Sequence, residues 1–414
     1  MKEYMSSAPA VAERALMLDI GRKYYTPGWI KRMIGEIAGL GMNAIVLHFS
    51  EEMGLGIESR LFPWLNGRDG SLCVLADVAS DRSQITQEEV GEIVAFAGKL
   101  GVTVIPSFDT PGHMNYIVKR FNEYAASRAF TFVSEGKEYS VPQGKTIDNR
   151  YHHNGRTAVV QGSRNTAFSR GIDVSDPIAV AFTKALLGEY AALFASFGCD
   201  RIDIGGDELL GWGGSLSDKL PKWKQLDHWQ AAARVRTGLP GAVAYDLLVS
   251  YMNEMAAFVR TFGYRSVRMW NDDAYRSADT GWSTDASKHI QLDREIEILY
   301  WSATANRSKN TLWTYANQKK VYNYLCNYNY FVLGKGAYGM TTVENLLGVW
   351  SPYVFTADGS PVGCGGNATP GDKLIGGTAF CVWCDNPLAM TEEEVADAIR
   401  PLLAAHAERA WRGK

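Results

Sequence analysis

The sequence predicts a (β/α)8 barrel, and three observations carry that expectation. Eight short apolar stretches recur along the 414 residues, separated by helical or long segments. Almost every stretch ends in a polar or aromatic cluster, as in a barrel whose site is assembled at the strands' C-terminal ends. No GxGxxG opens the first βα turn, which counts against the alternative, an open doubly wound sheet.

In chain order, Leu16–Gly21 is the first strand, with Arg22 just beyond it. Thr26-Pro27 opens a helix to about Leu40, with threonine as cap and proline in the first turn, and Gly41 ends it. Asn43–Phe49 is the second strand and carries His48, and a long loop follows. Gln87 to Leu100 forms a helix stopped by Gly101; the third strand, Val102–Phe108, runs into Asp109-Thr110-Pro111-Gly112-His113. Met114 to Ser175 mixes its signals and reads as a long excursion with some helix, and insertions of that length are usually functional. Asp176-Pro177 starts a helix to about Phe197, before the fourth strand, Cys199–Gly205. Its trailing loop passes Trp212 and Trp223 to about Gly241, and a helix from about Val243 to Phe262 leads to the fifth strand, Ser266–Trp270. That strand exits into Asn271-Asp272-Asp273. Glu297–Trp301 is the sixth strand; Lys320–Cys326 is the seventh, with Asn327-Tyr328-Asn329-Tyr330 after it; Gly377–Trp383 is the eighth, with Asp385 after it. Thr391 to about Trp411 is an amphipathic helix. The expected organisation is one barrel domain over residues 1–414, since no linker rich in proline, serine or charge divides it.

Composition bounds the function. A net charge of −3 gives no general case for nucleic acid or an anionic membrane, both of which want a clustered basic surface. No run of about 18 apolar residues is apparent, so no membrane span is expected. Met1-Lys2-Glu3-Tyr4-Met5 lacks the apolar core of a secretory signal. Forty-one glycines with 12 tryptophans, 20 tyrosines and 16 phenylalanines suit tight loops carrying aromatic walls, against which the C–H face of a sugar packs. Six cysteines on so long a chain imply no disulfide framework, and Cys381-Val382-Trp383-Cys384 stands without a second CxxC or a histidine cluster. His152 and His153 are adjacent and the other histidines isolated, so neither a metal nor another cofactor is expected.

The chemistry concentrates in Arg201-Ile202-Asp203-Ile204-Gly205-Gly206-Asp207-Glu208. Alternating residues form a strand, and the diglycine frees the backbone just before two adjacent carboxylates, so both can face one cleft. Two acids that close repel, which raises the proton affinity of one and suits a general acid beside an ionised partner. The plainer alternative is an acidic helix start, with Asp207 as N-cap.

With these residues in view, the chain resembles glycoside hydrolase family 20, the β-N-acetylhexosaminidases, and particularly their dispersin B and streptococcal surface types. The motifs are Gly205-Gly206-Asp207-Glu208, Leu47-His48-Phe49-Ser50, Asp109-Thr110-Pro111-Gly112-His113-Met114, Met269-Trp270-Asn271-Asp272 and Tyr300-Trp301-Ser302, and the likeness runs from Leu16 to Pro387. It implies retaining hydrolysis in which the substrate's own 2-acetamido oxygen is the nucleophile. Glu208 would be the acid and base, Asp207 would orient the acetamido N–H, and Tyr330 or its neighbour Tyr328 would hold the acetamido oxygen. Arg22 would bind a sugar hydroxyl, Trp383 would floor the pocket, and Trp270 and Trp301 would wall it. Asp109, His113 and His48 would support the acid, and Asp272 and Asp385 would contact substrate. The implied partner is a glycan with a β-linked N-acetylhexosamine, and the implied setting is secreted or surface-displayed.

Three departures bear on substrate. Glu51 stands where many relatives carry Asp; Asp385 stands where Glu often binds the 4- and 6-hydroxyls; and Gly211, beside Trp212, replaces a tyrosine. Asp385 and the long Met114–Ser175 excursion favour a lacto-N-biosidase as the rival within the same mechanism. From other classes come a non-catalytic carbohydrate-binding barrel and a two-carboxylate glycosidase with Asp272 as nucleophile.

Overall fold

The computed structural model describes residues 3–67, 82–159, 171–209, 222–271, 289–302, 319–334, 341–356 and 368–413. Eight parallel strands close into a barrel: β1 (Glu13–Asp19), β2 (Ala44–His48), β3 (Thr103–Thr110), β4 (Arg201–Gly205), β5 (Ser266–Trp270), β6 (Ile296–Tyr300), β7 (Val321–Asn323) and β8 (Ile375–Trp383). Each pairs with the next, and β8 returns to β1 over six registered positions, from Glu13 opposite Gly377 to Leu18 opposite Val382. The barrel is the expected fold.

Alternation along the strands sorts two cores. Leu16, Leu18, Ile45, Leu47, Ile202, Ile204 and Val267 face outward onto helices, whereas Ala15, Met17, Ala44, Val46, Ile105, Cys381 and Trp383 face inward. Helices α1 (Pro27–Gly39), α2 (Gln87–Lys99), α3 (Asn115–Ser127), α4 (Pro177–Ser196), α5 (Asp227–Thr237), α6 (Ala244–Arg260) and α7 (Glu392–Arg412) flank the strands or their loops. Threonine or aspartate side chains cap four of them: Thr26, the cap expected from the sequence, and Thr86, Asp176 and Thr391 each accept a first-turn N–H.

Inside the barrel one register line is polar. Asp19, His48, Ser107, Asp203 and Arg268 stand opposite one another across β1 to β5, and every one is buried. Arg268 donates to Asp203 at 2.5 Å and to Glu13 at 2.7 Å, so the cation is compensated where water is excluded. Burial outweighs Arg268 and pushes the Asp203 carboxyl up to about 6.

Four features differ from the sequence reading. The excursion after β3 holds, besides α3, two antiparallel hairpins, Phe130–Ser134 with Lys137–Val141 and Arg150–His153 with Arg156–Val159. The region after β4 contains α5. The seventh strand is broken: Val321–Asn323 pairs with the start of β8, a helical turn Cys326–Asn329 interrupts, and Tyr330–Val332 then pairs with Cys381 to Trp383. Finally α4 is long and apolar enough to cross a membrane, contrary to the reading that no such stretch exists; yet 61% of its apolar window is buried, with Phe182, Leu186, Tyr190 and Phe194 in the core.

Candidate active site

At the C-terminal end of the barrel the strand exits surround a pocket with about 470 Å³ of empty space. Arg22, His113, Asp207 and Glu208 line one part of it, and Trp270, Trp301, Tyr330 and Trp383 with Asp385 line another. Of the catalytic and binding candidates singled out in the sequence, Asp272 lies outside the described residues, as do Gly211 and Trp212. His48 and Asp109 are buried behind the wall.

The turn after β4 brings the two acids to one side. Gly205 and Gly206 adopt φ of 74° and 97°, and Glu208 itself has φ of 46°, a conformation that costs a non-glycine residue energy. A Cβ on Gly205 would stand 2.6 Å from the Thr110 nitrogen, so only glycine lets β3 approach this closely. Likewise a Cβ on Gly112 would meet the Asp207 carbonyl oxygen at 2.6 Å. The two motifs are thus packed backbone to backbone. His113, at φ of 51°, places its Nε2 3.4 Å from both Asp207 Oδ2 and Glu208 Oε2. Among the described residues Asp207 lies in irregular backbone and Glu208 in a bend at positive φ, so Glu208 is not in a helical first turn.

Behind His113 lies a charge network that the sequence reading recognised only in part. Glu51 bridges it: one oxygen is 2.7 Å from His113 Nδ1, the other 2.9 Å from Arg22 Nη1 and 3.4 Å from His48 Nε2. Glu52 stands 3.4 Å from both Arg22 Nη2 and His113 Nδ1. Arg22 also donates to Asp19 at 2.9 Å and faces Asp385 at 3.9 Å. Burial raises the proton affinity of such carboxylates, but Arg22 and then His113 outweigh it: Glu51 is held well below the usual range and Glu52 at about 2. His48 sits 3.2 Å from Asp109 and 2.9 Å from Ser107 Oγ. Burial pulls its pKa down, yet Asp109 and Glu51 hold it well above the ordinary value.

Two sets in this network, His48 with Glu51 and Asp109, and Glu51 and Glu52 with His113, bring three metal-ligating atoms within 4.8 Å of one another. Glu51 belongs to both and already carries the Arg22 guanidinium, so its charge is met from within the protein.

Aromatic rings shape the rest of the pocket. Trp301 and Tyr330 stand nearly parallel with centroids 6.4 Å apart, and Trp383 meets Tyr330 at 5.6 Å and Trp270 at 6.0 Å. Trp270 Nε1 donates to Asp109 at 3.3 Å, tying this wall to the acid side. Tyr330 faces the barrel interior while Tyr328 packs into the outer core, because the break in the seventh strand turns the chain between them. Burial raises the Tyr330 hydroxyl well above its ordinary pKa, so it is a donor. Cys381 and Cys384 belong to opposite cores, and among the described residues Cys199, Cys326, Cys381 and Cys384 are buried free thiols; Cys73 and Cys364 lie outside those residues.

The sequence profile of the glycosyl hydrolase family 20 catalytic domain matches residues 12–414. The lacto-N-biosidase of Bifidobacterium bifidum is 23% identical over 297 residues, 72% of this chain and 20% of that protein. A β-hexosaminidase of Vibrio furnissii is 30% identical over 128 residues, 29% of this chain and 21% of that protein. The chain therefore spans about a fifth of the length of these curated relatives. Among solved structures, a β-N-acetylhexosaminidase from Bacteroides fragilis aligns with a TM-score of 0.67 at 21% identity, over 98% of this chain and 67% of that one. Dispersin B aligns with a TM-score of 0.61 at 21% identity, over 96% of this chain and 98% of that one.

Proposed function

We propose, because the chain belongs to glycosyl hydrolase family 20, that it is a retaining exo-β-N-acetylhexosaminidase removing terminal β-linked GlcNAc or GalNAc from a glycan. The observation that carries the reading is the adjacent Asp207–Glu208 pair beside one histidine in an aromatic-walled pocket. The substrate's 2-acetamido oxygen attacks the anomeric carbon while Glu208 protonates the departing glycosidic oxygen; an oxazolinium intermediate forms. Glu208, now a carboxylate, deprotonates the water that opens it. Asp207 accepts the acetamido N–H and stabilises the positive charge that develops on it, and the Tyr330 hydroxyl donates to the acetamido oxygen. Arg22 donates to a sugar hydroxyl, with its other carboxylate contacts fixing its plane. Trp383 floors the pocket, and Trp270 and Trp301 wall the acetamido group. Asp385 contacts the sugar's far hydroxyls, and Asp272 binds substrate. His113, oriented by Glu51, sets where the acids stand, and Asp109 and His48 support that arrangement. Residues 1–414 act as one catalytic domain.

A second reading is a lacto-N-biosidase releasing Gal-β1,3-GlcNAc by the same chemistry. The short Asp385 side chain and the likeness to the Bifidobacterium bifidum protein over 72% of this chain favour it. Hydrolysis of p-nitrophenyl β-GlcNAc and of the lacto-N-biose glycoside separates the two. Asp207→Ala and Glu208→Ala are each expected to cost on the order of 10²-fold or more in rate on the accepted substrate. Tight competitive inhibition by a thiazoline mimic of the oxazoline is expected as well. Wild-type protein that is folded but inert on both glycosides refutes the enzymatic reading, and loss of thiazoline binding refutes acetamido participation.

A further inference from the structure

Lys23 follows Arg22 in the chain, but its side chain turns away from the pocket into the protein, where only 3% of the residue is exposed. An ammonium so placed needs acceptors, because burying it bare is prohibitive. It donates to the carbonyl oxygens of Pro387 and Met390, each at 2.9 Å, and lies over the Tyr25 ring at 5.6 Å. Both carbonyls belong to the loop between β8 and α7, and that loop carries Asp385.

The same short segment grips the loop upstream of Asp385 too. Asp19 Oδ2 accepts the Cys384 N–H at 3.0 Å, and the Tyr25 hydroxyl lies 3.3 Å from Cys384 Sγ. Asp385 is therefore straddled, held at residue 384 on one side and at 387 and 390 on the other. From there its Oδ1 faces Arg22 Nη1 at 3.9 Å. That separation exceeds a hydrogen bond and is within easy electrostatic reach, so a loop shift of about 1 Å would change what the two side chains offer a ligand together.

We propose that Lys23 is a positioning residue for substrate recognition: by clamping the carbonyls of Pro387 and Met390 it fixes the loop that presents Asp385 opposite Arg22. The inference rests on the reading of Asp385 as a sugar-binding residue. Lys23 itself touches no substrate.

The test is a double-mutant cycle on whichever chromogenic glycoside the wild type cleaves. Lys23→Met keeps the stem and removes the donors; Lys23→Gln keeps N–H donors on a shorter arm and serves if Lys23→Met does not fold. Lys23→Met is expected to raise KM about tenfold with kcat within about twofold, and Lys23→Gln to fall between it and wild type. In an Asp385→Ala background neither change should raise KM further, because the residue they position is gone. A melt confirms folding for each variant. Should Lys23→Met lower the melting temperature yet leave KM unmoved, the clamp is only a staple and the proposal is overturned. Effects on KM that multiply with Asp385→Ala also overturn it. If Asp385→Ala alone leaves KM unchanged, it is the sugar-binding reading of Asp385 that fails, a result distinct from the other two.

Discussion

Replacing Arg22 with methionine should damage stability at neutral pH far more than at acid pH, and the structure supplies the size. The guanidinium stands 2.9 Å from Asp19, 2.9 Å from Glu51 and 3.4 Å from Glu52, all buried. With the cation removed, those carboxylates face one another in a site that excludes water. Glu52 titrates at about 2 instead of near 4.5, chiefly because Arg22 overrides the effect of burial. A depression of that size in the folded state amounts to about 3 kcal/mol at neutral pH. Since the folded value is the lower one, this stability is complete above about pH 4.5 and disappears as pH falls toward 2. Arg22→Met should therefore lose at least about 3 kcal/mol near pH 7, which for a chain of 414 residues is roughly 3–4 °C in melting temperature. The gap to wild type should narrow between about pH 4.5 and pH 2, where the carboxylates accept protons in both proteins. Urea titration and calorimetry across that range measure it. A variant within about 1 °C of wild type at pH 7, on the order of 1 kcal/mol or less, would show that the network is compensated without Arg22. A gap that widens in acid would mean that the depressed carboxylates are not its origin.

Tyr330→Phe should leave the fold intact and lower kcat by roughly 10- to 100-fold, while Tyr328→Phe stays within about twofold, since only Tyr330 faces the pocket; steady-state rates on the chromogenic glycoside decide between them. Gly205→Ala should cost at least about 3 kcal/mol or prevent folding, because its Cβ would meet backbone of β3 at φ of 74°; denaturant midpoints check this, and a near-neutral result would contradict the packing. His48→Gln should destabilise the protein below about pH 6.5, with the difference from wild type closing as pH rises through the elevated folded pKa of His48; melts from pH 5 to 10 test the sign.

The predicted elements follow from local rules, and the misses share a physical cause. Strand-end clusters were legible because alternation fixes which side chains enter the barrel. Asp19, His48, Asp109, Trp270 and Trp383 fall on the inward phase of strands whose outward phase is apolar, chiefly Leu, Ile and Val with Phe108, Met269 and Phe380. Positions set by a single turn were legible for the same reason, as at Gly205-Gly206. Local patterns do not say which distant charges meet. Glu51 and Glu52 look in sequence like a polar loop start, and their service to both Arg22 and His113 appears only once β1, β2 and β3 are in register. The second hairpin did leave a signal in Asn154-Gly155, whose φ of 50° and 75° suits a tight two-residue turn. The break in the seventh strand left none, yet it places Tyr330 in the pocket and Tyr328 in the outer core. The proposed catalytic pair was therefore legible beside a regular strand, whereas the choice between two tyrosines depended on an irregularity. In a barrel whose regular part is generic, substrate selectivity should depend on such irregular segments, the broken seventh strand and the Lys23-clamped loop bearing Asp385 among them.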